Sequence, residues 1–123
     1  MTTILQIEDN LANKILIERV LEPLNYRLLH AADGETGVTL AIEEKPDLIL
    51  VDMGLPDIDG QTVVTLLRQL PGLEHTPIIA ITAWPADKAM EMAERYGCDG
   101  CILKPIDVKT FPKQIAQYLK PAA

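Results

Sequence analysis

Cysteine, histidine and positive charge are all scarce in this chain. Two cysteines among 123 residues are too few for the disulfide framework of a small secreted domain, so the cytoplasm is the expected compartment. Eleven Lys and Arg stand against 18 Asp and Glu, a formal net charge of −7. The basic residues form no run, which argues against the cationic surface that direct nucleic-acid binding requires. No apolar stretch approaches the roughly 20 residues of a membrane span, and Met1-Thr2-Thr3 opens no signal peptide. Repeats, low-complexity tracts and linker-like stretches are missing as well. What is present, 48% hydrophobic and 24% charged residues, has the length and balance of one soluble globular domain that needs no disulfide or structural metal.

Two periodicities alternate along the chain. Ile4-Leu5-Gln6-Ile7, Leu48-Ile49-Leu50-Val51, Ile78-Ile79-Ala80-Ile81 and Cys101-Ile102-Leu103 are short apolar runs rich in β-branched residues. Such runs predict parallel strands covered on both faces, and Tyr26 to His30 is a weaker fifth candidate. Between them the spacing becomes helical. Leu16, Ile17, Val20 and Leu21 form one stripe, stopped by Pro23. Val38, Ala41 and Ile42 mark a second, with Asp33 as its N-cap. Val63, Leu66, Leu67 and Leu70 form a third, ended by Pro71-Gly72. Ala89, Met92, Ala93 and Tyr96 form a fourth, with Gly97 just past its end, and Phe111, Ile115, Tyr118 and Leu119 a fifth. Pro112 sits awkwardly near the start of the last helix. Five strands alternating with five helices predict a single α/β domain of (βα)5 type. Its parallel sheet is covered by helices on both faces and joined by right-handed crossovers.

The chemistry collects where the strands end. The first run leads into Glu8-Asp9, the third-strand run into Asp52, the fourth into Thr82 and the last into Lys104-Pro105. In an open parallel sheet, ligands bind outside the carboxyl ends of the strands. Three carboxylates, a hydroxyl and an ammonium are therefore expected to converge. Crowded carboxylates repel unless a cation is present, and an all-oxygen set without His or Cys suits Mg2+ or Mn2+ rather than zinc. Mg2+ takes one or two carboxylates plus waters and a phosphate, which leaves a carboxylate free as nucleophile. An Asp can accept a phosphoryl group as an acyl phosphate. Metal and ammonium would neutralise the transferring oxygens, and the Thr hydroxyl would hydrogen-bond one of them.

These residues resemble a known family. Glu8-Asp9-Asn10, the segment from Asp52-Met53-Gly54-Leu55-Pro56 to Asp57-Ile58-Asp59-Gly60, Thr82-Ala83 and Lys104-Pro105 look like the receiver domains of two-component response regulators. The resemblance spans essentially the whole chain. It implies a flavodoxin-like fold with strand order 2-1-3-4-5. It also implies that Asp52 is phosphorylated from a phosphohistidine on a sensor histidine kinase or histidine phosphotransfer protein. Glu8, Asp9, Asp52 and the Gly54 backbone carbonyl would hold Mg2+, Thr82 would be the switch hydroxyl and Lys104 the phosphoryl contact. The Lys-Pro bond is typically cis in the family. A stand-alone receiver over 1–123 with no output domain is expected, or a piece of a longer protein. The expected output is altered binding of a downstream protein through the fourth helix, fifth strand and fifth helix, by a monomer or a phosphorylation-linked dimer. The chain departs from the family at Cys101, where a switch aromatic is usual.

Other features have plainer readings. Cys98-Asp99-Gly100-Cys101 forms a C-x-x-C, but it follows a helix rather than opening one, so both thiols are expected to be small packing residues, with Cys101 buried. His30 and His75 are expected to lie away from the strand-end set, and Asp57 and Asp59 to serve as turn and cap residues. Met90 and Met92 belong to the core and surface of the fourth helix, or to a partner-binding face. Trp84, two residues past Thr82, is either a loop aromatic packed on the domain or a gate over the site. Two other functions compete with the signalling switch. One is a phosphorylation-independent scaffold. The other is a metal-dependent phosphohydrolase, which commonly places a second Asp where Gly54 stands.

Overall fold

A computed structural model describes residues 1–55 and 57–119. Pro56 of the loop motif and the end of the chain at Ala123 lie outside the described residues. Five strands alternate with five helices: β1 Thr3–Ile7, α1 Leu11–Leu21, β2 Arg27–Ala31, α2 Gly34–Glu44, β3 Leu48–Asp52, α3 Gly60–Gln69, β4 Ile78–Thr82, α4 Ala86–Tyr96, β5 Gly100–Leu103 and α5 Phe111–Leu119. All strand pairs are parallel, in the order β2-β1-β3-β4-β5. This is the doubly wound sheet that the alternating periodicities predict.

Strand alternation divides the interior in two. Leu5, Ile7, Ile49, Val51, Ile78 and Ala80 pack against Val63, Val64 and Leu67 of α3 and Met92 of α4. Ile4, Leu48, Leu50, Ile79, Ile81 and Ile102 face the other way, onto Ile17 and Leu21 of α1 and Phe111 and Ile115 of α5. β1, β3 and β4 are buried along their whole length, which explains their near-continuous apolar runs, with Gln6 of β1 the buried polar exception. The edge strands β2 and β5 are only partly buried. Their sequence signal is correspondingly weak, and β2 starts at Arg27, leaving Tyr26 outside it.

Helix ends follow local chemistry. Asn10, Asp33 and Asp59 cap α1, α2 and α3, each side chain accepting from the N–H three residues on. Pro23 does not simply stop α1 but is the second residue of a 3-10 turn, Glu22–Leu24, that continues it. Pro112 is the second residue of α5, where the N–H has no intrahelical acceptor to lose. Gly97 ends α4 at φ 90°, a left-handed position that a Cβ would strain.

The end of the sheet opposite the carboxyl strand ends is closed by one side chain. Arg68 of α3 donates from Nε to the Gly97 carbonyl (2.9 Å) and from Nη1 to the carbonyls of Leu73 (3.2 Å) and Thr76 (2.8 Å). Its Nη2 pairs with Asp99, whose carboxylate also accepts from Ile78 N–H at the start of β4 (2.8 Å). The planar five-donor fork thus ties the α3–β4 and α4–β5 connections together. Arg68→Ala should destabilise the domain by about 2 kcal/mol in urea unfolding. Arg68→Lys should recover little of that, because an ammonium cannot span the same acceptors.

Candidate functional site

β1 and β3 are paired with Ile7 opposite Val51, so the residues that follow, Glu8 and Asp52, emerge side by side. Both are buried, at 2% and 3% exposure, whereas Asp9 is exposed. Carboxylate oxygens of Glu8, Asp9 and Asp52 lie within 4.8 Å of one another. Lys104, just past β5, reaches across β4 and places its Nζ 2.9 Å from Asp52 Oδ1. The same oxygen accepts the Gly54 N–H (3.1 Å). The Lys104–Pro105 bond is cis.

Of the expected site residues, Glu8, Asp9, Asp52, Gly54 and Lys104 come together at the carboxyl end of the sheet. Thr82 ends β4 and is buried, but its Oγ1 accepts the Trp84 N–H (3.0 Å) and makes no hydrogen bond to the acidic set. Trp84 borders a cleft of ≈ 200 Å³ together with Gln61, Met92 and Tyr96, on the side of α3 and α4.

The electrostatics separate the three acids. Burial, then the neighbouring Asp52 carboxylate, push Glu8 from its ordinary 4.5 up to about 7. Burial and Asp52 also raise Asp9. Burial works against ionisation of Asp52 too, but Glu8, Lys104 and the Gly54 N–H outweigh it and hold Asp52 below the usual carboxylate range. The site therefore contains one carboxylate kept ionised and two that resist losing a proton while no cation is near. Glu8 Oε2 accepts the Asn10 N–H (3.2 Å), whereas its buried Oε1 has no protein partner. The all-oxygen donor set of Glu8, Asp9 and Asp52 fits a hard divalent cation of the Mg2+ type.

His30 and Cys101 lie elsewhere than expected. His30 ends up beside the site: its Nε2 is 2.8 Å from the Glu8 carbonyl, because β2 flanks β1 with Gln6 opposite His30. His75 is exposed in the α3–β4 connection. Cys101 is half-buried rather than buried, as is Cys98, because β5 is an edge strand. Asp57 does more than shape its own turn. Its two oxygens accept the N–H groups of Gly34 (2.8 Å) and Glu35 (3.1 Å), fastening the β3–α3 loop to the first turn of α2. No local signal in the sequence marks that contact.

Comparison with known proteins agrees with this geometry. The chain belongs to the response regulator receiver domain family, whose model matches residues 4–116. It is 35% identical over 117 residues to the polar-differentiation response regulator DivK of Brucella anthropi, covering 95% of each chain. Among solved structures it resembles the receiver domain of sensor histidine kinase PA1611 from Pseudomonas aeruginosa, with magnesium coordinated in its active-site cleft. That match has TM-score 0.87 at 30% identity and covers 96% of this chain and 97% of the other. The chemotaxis response regulator CheY4 of Vibrio cholerae shares the fold at TM-score 0.91 and 24% identity, over 97% and 99% of the two chains. The protein is thus a receiver domain of two-component signalling with a complete acidic cluster. Receiver domains are signalling domains rather than classical enzymes, so neither the phosphohydrolase nor the scaffold alternative is favoured.

Glu8 stays protonated in the folded, cation-free protein up to about pH 7, against an ordinary value of 4.5. Its folded value is the higher one, so its stabilising contribution is complete below the unfolded value and is lost as pH rises through about 7. Without divalent cations the melting temperature should fall between about pH 5 and about pH 7 and level off above, and this part of the fall should vanish in Glu8→Gln. Millimolar Mg2+ should raise the melting temperature more at pH 8 than at pH 6, and much less in Asp9→Asn.

The thiols are held in the opposite sense to redox-active pairs. Burial pushes Cys98 up to about 11 and raises Cys101 as well. At pH 8 the Cys98 thiolate is therefore a minor species. Alkylation by iodoacetamide at that pH should be at least tenfold slower at Cys98 than for free cysteine, and should accelerate only as the pH approaches 11.

Proposed function

We propose that Asp52 accepts a phosphoryl group from a phosphohistidine on a sensor histidine kinase or a histidine phosphotransfer protein, and that the resulting acyl phosphate switches binding of a downstream protein. The observation that carries this reading is the state of Asp52. It is buried at the end of a central strand, yet held in its ionised form by the Glu8 carboxyl, by an ammonium 2.9 Å away and by a backbone N–H. A nucleophile must be deprotonated to attack, and here the protein supplies that state in advance.

Lys104 and Gly54 both donate to Oδ1, which leaves Oδ2 to attack phosphorus. The new O–P bond forms as the P–N bond to the imidazole breaks, and the histidine leaves with the electron pair. Lys104 then sits where it stabilises negative charge on the transferred group. Mg2+ or Mn2+ held by Glu8, Asp9, Asp52 and the Gly54 carbonyl would neutralise the phosphoryl oxygens during transfer. The Thr82 hydroxyl turns from the Trp84 N–H toward a phosphoryl oxygen, which couples the chemistry to the β4–α4 loop. Phosphoryl loss is the same site's self-directed hydrolysis.

The output surface is the face formed by α4, β5 and α5. Its support is a cavity of ≈ 610 Å³ bordered by Met90, Ala93, Cys101, Leu103 and Tyr118, with Met90 and Leu103 exposed. The protein acts in the cytoplasm, as a monomer or as a phosphorylation-linked dimer. It has no direct role on nucleic acid or membrane, in keeping with its charge of −7.

Incubation with acetyl phosphate and Mg2+ should add one phosphoryl mass to the parent and none to Asp52→Asn, which should keep the fold. Because Trp84 N–H is bonded to Thr82 Oγ1, emission of this single tryptophan should change in step with the adduct. Labelling of Asp52→Asn to the parental extent would overturn the assignment.

A further inference from the structure

β1 runs between β2 and β3, and its side chains alternate between the two cores. Ile4 belongs to the side covered by α1 and α5, Leu5 and Ile7 to the other. Gln6 therefore points toward α1 and α5. Glu8 falls on the same face, because the chain stays in register with β2 through the Glu8 N–H and the Ala31 carbonyl (2.9 Å). An apolar side chain would suit position 6, flanked as it is by Ile4 and Leu50 in an otherwise apolar layer.

Instead the position holds an amide that is 2% exposed. Neither Gln6 Nε2 nor Gln6 Oε1 has a protein partner, and nor has Glu8 Oε1. Among the described residues these are the buried side-chain polar atoms left without one. Burying an unpaired amide costs on the order of 1–3 kcal/mol for each group, so an isolated Gln6 would be a standing loss. Residues two apart in a strand are separated by about 6.5 Å, which suits a bridge through one water molecule. A water buried in a protein makes about three hydrogen bonds to otherwise unpaired groups, and the two residues offer that set: one donor and two acceptors.

We propose that Gln6 is a positioning residue for the acidic site, its buried amide donating through one enclosed water to Glu8 Oε1 and fixing the direction in which that carboxylate faces the cation. Glu8 is then held through both oxygens, by Asn10 N–H on Oε2 and by the Gln6 bridge on Oε1. Outer partners of this kind orient metal-binding carboxylates and set affinity without touching the metal. The effect on cation binding rests on the Mg2+ reading of the site; the link between Gln6 and Glu8 does not.

The test compares the parent with Gln6→Met, which keeps an unbranched side chain of similar volume and removes the amide. By calorimetric titration, Mg2+ should bind about tenfold more weakly to Gln6→Met, while the cation-free melting temperature is equal or higher. Equal Mg2+ affinity in the two proteins would overturn the proposal and leave Gln6 a buried amide without a role at the site. A second measurement needs no variant at position 6. The Gln6 side-chain amide resonance of the 15N-labelled protein should move in cation-free Glu8→Gln, and in the parent on adding Mg2+. A resonance that stays fixed in both experiments would also overturn the link. A parent that binds no Mg2+ would sink the metal reading instead, and the Glu8→Gln shift would then decide the Gln6–Glu8 link by itself.

Discussion

Mutual repulsion among carboxylates at one end of the sheet is the constraint on which the rest of the molecule depends. Two unit charges 4 Å apart repel by about 4 kcal/mol at an effective dielectric of 20, and Glu8, Asp9 and Asp52 crowd within 4.8 Å. The protein answers in two ways. Lys104 sets an ammonium against Asp52, and Glu8 retains its proton to about pH 7. What results is one carboxylate favoured in its ionised form beside two whose ionisation burial and Asp52 oppose.

Such a site needs a rigid support. β1, β3 and β4 are buried throughout, with a closed apolar layer on each face, and they fix the strand ends from which Glu8, Asp52 and Thr82 project. The far end of the sheet is tied by Arg68, whose contacts to Gly97, Thr76 and Asp99 join α3 to the connections around β4 and β5. Stability and chemistry thus occupy opposite ends of the same strands. Toward the acidic end, Asp57 holds the β3–α3 loop to α2, and His30 approaches the Glu8 backbone.

Family membership explains the arrangement, but the chain has its own details. Cys101 stands on the edge strand where receivers usually carry an aromatic, and a thiol is too small to swing between buried and exposed states with much change in apolar area. Space over β5 is taken from the other side. A Cβ at Gly100 would collide with the Tyr118 hydroxyl, so this glycine is what lets the α5 tyrosine lie against the strand. The hydroxyl of Thr82 is likewise engaged by a neighbour, the Trp84 N–H, rather than free over the acidic set.

Residue order alone carried the (βα)5 architecture, because central parallel strands are continuous apolar runs and amphipathic helices repeat every three or four residues. It also pointed to Glu8, Asp9, Asp52, Thr82 and Lys104 as candidate site residues, since each ends a strand or follows one within two residues, and a parallel sheet brings all such ends to one edge. Caps such as Asp33 and Asp59 were legible because their partners lie three residues away. The register of β2 was blurred, as an edge strand buries too little to show a clean pattern. Contacts between residues remote in sequence were decided only by the tertiary structure: Arg68 with Gly97 and Asp99, Asp57 with Gly34, His30 with the Glu8 carbonyl. So was the state of the acids, because a pKa depends on burial and on neighbours brought in by other strands, neither of which a linear pattern contains. Gln6 belongs to the same class. In the sequence it is one polar letter in an apolar run, and only burial on the face it shares with Glu8 gives its amide a physical consequence.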